Sequence, residues 1–187
     1  MGAKPKAKLT VSQFVEWCDK QAGDARYELV DGEIVAMGLD RIDHNRAKTR
    51  AASALNAAFR AAGKDCEAFV DGVGVTFGDR NFRIPDVVAQ CGPVDPAEAF
   101  LDKPVIVIEI VSASSMERDA HAKLHEYFSI ATIEHYLIVY LDRQHVVHHW
   151  RGEAGNAILT RFWSDGEIDL SPPGARLPVA ALLGEDR

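Results

Sequence analysis

The chain has 187 residues, 47% of them apolar, and carries 28 acidic against 21 basic side chains for a formal net charge of −7. That length and apolar content suffice for one sizeable core, and no Pro/Gly/Ser-rich or single-sign stretch divides the sequence, so one domain over residues 1–187 with a frayed basic tail over about 1–9 is expected. No run approaches the roughly 18 apolar residues of a membrane span, and the negative balance excludes a general polyanion binder, leaving a nucleic-acid groove only where charge is locally basic or offset by bound cations.

In chain order, Thr10 is placed to cap a first helix reaching about Lys20, because Val11, Phe14, Val15 and Cys18 recur on one face. Residues 26–30 and 33–37 flank Asp31-Gly32, a turn pair that tolerates positive φ and predicts an antiparallel hairpin. An alanine-rich helix follows from Ile42 to Ala62, with Ala51, Leu55, Ala58, Phe59 and Ala62 at helical spacing and Gly63 as its stop. Residues 68–77 and 82–90 read as two strands around Gly78-Asp79-Arg80-Asn81. Within the first, Gly72-x-Gly74 lacks the third glycine and the helix of a dinucleotide site and reads as strand or bulge.

Residues 105–111 form a β-branched run of the kind found in buried central strands. Ser114 or Ser115 then opens a helix to about Ile130, with Met116, Ala120, Leu124 and Phe128 as its apolar stripe. Strands are expected over 134–141, 146–151 and 157–163. Pro172-Pro173-Gly174 breaks the pattern, and a short helix over 179–183 closes the chain. The class is α/β or mixed α+β, a central mixed sheet flanked by helices. Cys18, Cys66 and Cys91 are odd in number and lack C-x-x-C spacing, which argues against a disulfide framework or zinc ribbon and for a reducing, cytoplasmic setting.

Two acids stand out. Glu109 lies inside Val105-Ile106-Val107-Ile108-Glu109-Ile110-Val111, where an ionised carboxylate is costly without a cation, and Asp86 lies in Ile84-Pro85-Asp86-Val87-Val88-Ala89. An antiparallel pairing that aligns Ile84 with Val111 puts Asp86 opposite Glu109, within reach of one ion. Two hard carboxylates favour Mg²⁺ or Mn²⁺. On the following helix Asp119, Lys123 and Tyr127 fall four residues apart along one stripe, so Lys123 can point back toward the acids.

These residues resemble the PD-(D/E)XK, restriction-endonuclease-like superfamily and, within it, the endonucleases of the Uma-two type. The resemblance runs in order through Tyr27-Glu28-Leu29-Val30-Asp31-Gly32-Glu33, His44, Pro85-Asp86, Val107-Ile108-Glu109-Ile110-Val111-Ser112, Asp119-x-x-x-Lys123-x-x-x-Tyr127 and Glu134-His135-Tyr136-Leu137-Ile138-Val139. It implies a restriction-endonuclease-like core with added N-terminal and C-terminal hairpins. It also implies a divalent cation held by Asp86, Glu109 and the backbone carbonyl of Ile110, and hydrolysis of DNA with Lys123 assisting the attacking water. The superfamily lysine two residues after the second acid is Val111 here, and the Uma-two pattern moves that lysine to the helix, matching Lys123. Glu28 and His44 fall on family positions from which either could reach the ion or its water, and Tyr127 is a further supporting candidate. A homodimer would follow if both strands of a duplex are cut.

Bland alternatives stand beside these. Asp86 alone reads as a strand-start cap, Asp119 with Lys123 as an ordinary exposed helix pair, and Tyr127 as a packed ring with a wet hydroxyl. His121 and His125 have zincin spacing, but Ala122 stands where the general-base glutamate would be, and His145, His148 and His149 fit exposed alternation on a hairpin strand. No nucleophile elbow is present. The rival to a nuclease is a noncatalytic DNA-binding or protein-interaction module on the same scaffold.

Overall fold

Thr10 caps α1 (Val11–Asp19) through a capping box in which its hydroxyl accepts from the Gln13 amide while the Gln13 side chain accepts from the Thr10 amide. The computed structural model describes residues 8–21, 25–111, 117–152 and 157–184, with the side chains of 117–122 outside that description. The remainder of the expected basic tail, the Ser114/Ser115 helix start and Met116 fall outside it. Leu9 is held to the first hairpin turn, its amide donating to Gly32 O at 2.9 Å.

Next come β1 (Tyr27–Val30) and β2 (Glu33–Ala36), paired antiparallel around Asp31 and Gly32, whose φ values of 49° and 79° are the positive pair that a tight hairpin turn requires. α2 (Ile42–Ala61) follows. It buries Ala47, Ala51, Ala52, Leu55, Ala58 and Phe59, whereas Ala62, expected on that face, is the exposed C-cap.

The two strands expected over 68–77 and 82–90 are each two strands. β3 (Cys66–Val70) and β4 (Val75–Thr76) are separated at Asp71-Gly72, where φ is 46° and 85°. β5 (Phe82–Arg83) and β6 (Val87–Cys91) are separated by Ile84-Pro85-Asp86. Proline offers no ladder donor and the positive-φ pair turns the chain, so the hairpin divides between two sheets. β4 and β5 join a four-stranded sheet ordered β2-β1-β5-β4, while β3 and β6 enter the main one.

The main sheet adds β7 (Pro104–Val111), β8 (His135–Tyr140), β9 (His145–Arg151) and β10 (Ile158–Trp163) in the order β10-β9-β8-β7-β6-β3. Only β7 and β8 run parallel, because α3 (Glu117–Ser129) crosses between them, so the sheet is mixed as expected. On one face Leu55 and Phe59 of α2 pack against Val87, Ile106, Ile108 and Leu137. On the other, Tyr127 of α3 packs with Val107, Tyr136 and Ile138. Each fully buried Leu or Phe in these layers contributes about 1.5–3 kcal/mol.

Beyond Trp163 the residue pattern assigns no strands, although the family resemblance implies a C-terminal hairpin, and one is present. β11 (Glu167–Leu170) and β12 (Ala175–Pro178) form a hairpin for which Pro172-Pro173-Gly174 is the connection rather than the end of structure. It leads into α4 (Val179–Leu183). Its period-2 burial, with Ile168, Leu170, Ala175 and Leu177 inward, covers the α2 side of the sheet.

The cysteine expectation is corrected. Cys66 and Cys91 are direct cross-strand partners in the β3–β6 ladder and form a disulfide, leaving Cys18 as the free thiol. The reducing, cytoplasmic setting inferred from unpaired cysteines loses that support. Among the described residues no helix is long and apolar enough to cross a membrane.

Candidate metal centre

β6 and β7 pair antiparallel with Val87 opposite Ile108, and one further step along this register places Asp86 opposite Glu109. Asp86 sits just outside the ladder, where the proline-broken strand frees its carboxylate to turn back, and its Oδ2 accepts the Ile110 amide at 2.6 Å. The two acids thus flank Ile110, whose carbonyl lies in the same corner.

α2 approaches this corner from the Asp86 side. Lys48, spaced to fall on the inward alanine face of the helix, is 1% exposed, and its ammonium lies 2.8 Å from Asp86 Oδ1, 2.7 Å from Asp40 Oδ2 and 2.9 Å from Asp71 Oδ1. Burial pulls the Lys48 pKa down, but Asp86, Asp40 and Asp71 outweigh it and hold the amine above its ordinary value. Arg26 closes the cluster on Asp71 at 2.8 Å and Asp40 at 3.4 Å. One turn earlier on α2, His44 Nε2 lies 2.6 Å from Ile110 O and 3.5 Å from Asp86 Oδ2, while its Nδ1 lies 3.3 Å from Asp40 Oδ1. A carbonyl only accepts, so Nε2 carries a proton in this arrangement.

α3 approaches from the Glu109 side. Lys123 Nζ lies 3.1 Å from Glu109 Oε1, and the Tyr127 hydroxyl donates to the same oxygen at 2.5 Å. Tyr127 is fully buried, so its hydroxyl is not the wet group expected from the sequence but a donor to the acid. Burial raises the Glu109 carboxyl pKa, with Lys123 opposing and Asp86 adding to the rise. Burial and then Glu109 likewise push the Tyr127 phenol well above its ordinary range. The Asp119 and His121 side chains lie outside the described residues, whereas His125 is exposed.

Glu28 is engaged elsewhere. Its Oε2 accepts from Arg83 at 2.9 Å and its Oε1 from the Ile84 amide at 3.0 Å, while Arg83 binds Glu126 through two nitrogens, each at 2.9 Å. This buried bridge ties β1 and β5 of the small sheet to α3. Burial lowers the Arg83 pKa, and the two glutamates more than restore it. Sequence reasoning missed Lys48, Arg83, Asp40 and Asp71. A lysine in register with the apolar residues of an alanine helix was the one signal available, since the others are brought in only by the turns around them.

The ligand set fits a hard divalent ion: the Asp86 and Glu109 carboxylates and the Ile110 carbonyl are all oxygens, and His44 Nε2 lies beside two of these three groups as a hydrogen-bonding neighbour. Among the described residues no three His, Cys, Asp or Glu side chains gather into a complete cage. An ion here would fill its sphere with water or substrate, as Mg²⁺ commonly does. Of the other histidines, His148 is buried rather than exposed, and it hydrogen-bonds His135 under the cavity at the β9–β11 end, away from this corner.

A mixed sheet flanked by helices, with two acids at the broken end of an antiparallel pair, defines a nuclease-like fold. Residues 11–180 match the Uma2 family, described as "Putative restriction endonuclease", and the chain belongs to that family. A solved structure, "a putative nuclease belonging to DUF820" from Anabaena variabilis ATCC 29413, superposes with a TM-score of 0.69 over 94% of this chain and 97% of its own, at 18% identity. "Uncharacterized protein slr1290" of Synechocystis sp. is 24% identical over 182 residues, covering 95% of this chain and 93% of that protein.

Proposed function

We propose that the protein is a metal-dependent endonuclease that hydrolyses DNA phosphodiester bonds, using Mg²⁺ or Mn²⁺ held by Asp86, Glu109 and the Ile110 carbonyl. The observation that carries this reading is the placement of Asp86 and Glu109 on either side of Ile110. Held by these groups, a divalent ion would supply charge neutralisation at the phosphate and would lower the pKa of water. Lys48 pairs with Asp86 and holds its carboxylate in one orientation. Lys123, next to Glu109, steadies the attacking water or the charge developing on the phosphate, and Tyr127 fixes Glu109 Oε1. Exposed Arg46, on α2 two residues after His44, offers a cation to the DNA backbone despite the negative overall charge, whereas Arg41 is paired with Asp43.

Glu109→Ala in purified protein should abolish Mg²⁺-dependent cleavage of DNA while leaving the circular dichroism unchanged. Undiminished cleavage would refute the assignment. A second reading, a noncatalytic DNA-binding or interaction module on this scaffold, is favoured by Lys48, because its ammonium already neutralises Asp86 without any ion. Retained DNA binding with no cleavage in any divalent cation would select it.

A further inference from the structure

The outermost strand of the main sheet, β10, reads Ile158-Leu159-Thr160-Arg161-Phe162-Trp163, and among the described residues it has a partner on one side only. Ile158, Leu159 and Phe162 are 38%, 45% and 70% exposed. A six-residue edge with this much β-branched and aromatic character and a single charge invites another strand, since natural edges are ordinarily blunted by charges, proline or bulges.

The ladder shows which groups face outward. Gly152 N donates to Ala157 O at 2.8 Å, and the β9–β10 register continues from that pair. Leu159, Arg161 and Trp163 therefore spend their amides and carbonyls on β9. The N–H and C=O groups of Ile158, Thr160 and Phe162 point away from the sheet.

We propose that a second copy of this chain pairs with that edge, β10 against β10 antiparallel, about a two-fold axis at Thr160. Such an axis perpendicular to the sheet keeps each residue on its own face, so only residues of equal parity can oppose one another. Two central registers satisfy this. One, centred on Arg161, sets two guanidinium groups directly opposite each other, which is destabilising. The other, centred on Thr160, sets Ile158 opposite Phe162 of the second copy and Thr160 opposite its own copy, and every outward N–H and C=O of these three residues finds a partner. In this register Arg161 faces Leu159 of the other copy. Its guanidinium stacks 3.9 Å from the centroid of the Trp163 ring, which draws it along the strand away from the axis. Both registers let Thr160 and Phe162 hydrogen-bond across the axis, so the opposed guanidinium groups of the Arg161-centred one decide for Thr160.

Sedimentation of the wild-type chain over a concentration series should show a monomer–dimer equilibrium. Thr160→Pro removes an outward donor and spares the backbone bonds to β9 while losing the hydroxyl's contact with His149, and Phe162→Lys alters an exposed ring and leaves that contact in place; each should weaken the dimer at least about tenfold with circular dichroism unchanged. In a Cys18→Ser background, Thr160→Cys should form an intermolecular disulfide and Arg161→Cys should not. A monomer at every concentration, a dimer undiminished by Phe162→Lys, or crosslinking through Arg161→Cys in preference to Thr160→Cys would overturn the proposal.

Discussion

Lys48 binds Asp86 from the opposite element: an ammonium on α2, 1% exposed, lies 2.8 Å from the carboxylate that ends the approach to β6. The same ammonium is shared with Asp40 and Asp71, so three loops and a helix meet at one nitrogen. Removing it leaves two or three carboxylates facing one another in a poorly hydrated corner.

Lys48→Met should therefore lower the unfolding free energy by about 3–5 kcal/mol, the range seen when one partner of a buried ion pair is deleted. Urea denaturation measures it. A loss below about 1 kcal/mol would mean that the cluster behaves as a surface network.

Glu28 is assigned here to holding Arg83 and the Ile84 amide, not to the ion. Glu28→Gln should reduce stability by about 1–3 kcal/mol through the weakened Arg83 bridge, while Mn²⁺ affinity stays close to that of the wild type. Calorimetry that shows the variant losing the ion altogether would return Glu28 to the metal centre.

Much of this architecture was legible in the sequence, and the reasons are local. The Asp31-Gly32 hairpin, the helix cap at Thr10 and the alanine helix stopping at Gly63 all follow from residues within a few positions of one another. The register that sets Asp86 opposite Glu109 was readable because Glu109 interrupts one apolar strand and Asp86 stands at the start of the next. What escaped depended on tertiary closure. Asp71-Gly72 and Pro85 split two apparent strands across two sheets, and the β11–β12 hairpin hides its strands behind a proline-rich connection. The Cys66–Cys91 bridge likewise needs the β3–β6 register, which no spacing rule supplies.

His135 and His148 make the chain acid-sensitive at a place remote from the acids. The His135 Nε2–H donates to Pro172 O at 2.8 Å, so its Nδ1 accepts from His148 Nε2 at 2.9 Å, and both rings are neutral. Burial lowers His135 from an ordinary 6.5 to about 4, and burial with the neighbouring His135 and His149 lowers His148 to about 3. The unfolded chain takes up these protons first, so this stability is fully present above pH 6.5 and is lost as pH falls toward 4 and then 3, by a few kcal/mol in all. His148→Gln should flatten the profile over that window. A denaturation midpoint in wild type that is level from pH 7 to pH 4 would contradict this (the window being that of His135).

The central claim is that Asp86 and Glu109 jointly hold a divalent cation. Isothermal titration of Mn²⁺ into the wild type, Asp86→Asn and Glu109→Gln tests it without requiring turnover. One site per chain is expected in the wild type, with a loss of affinity of about tenfold or more in each variant. Equal Mn²⁺ affinity in all three proteins would contradict it.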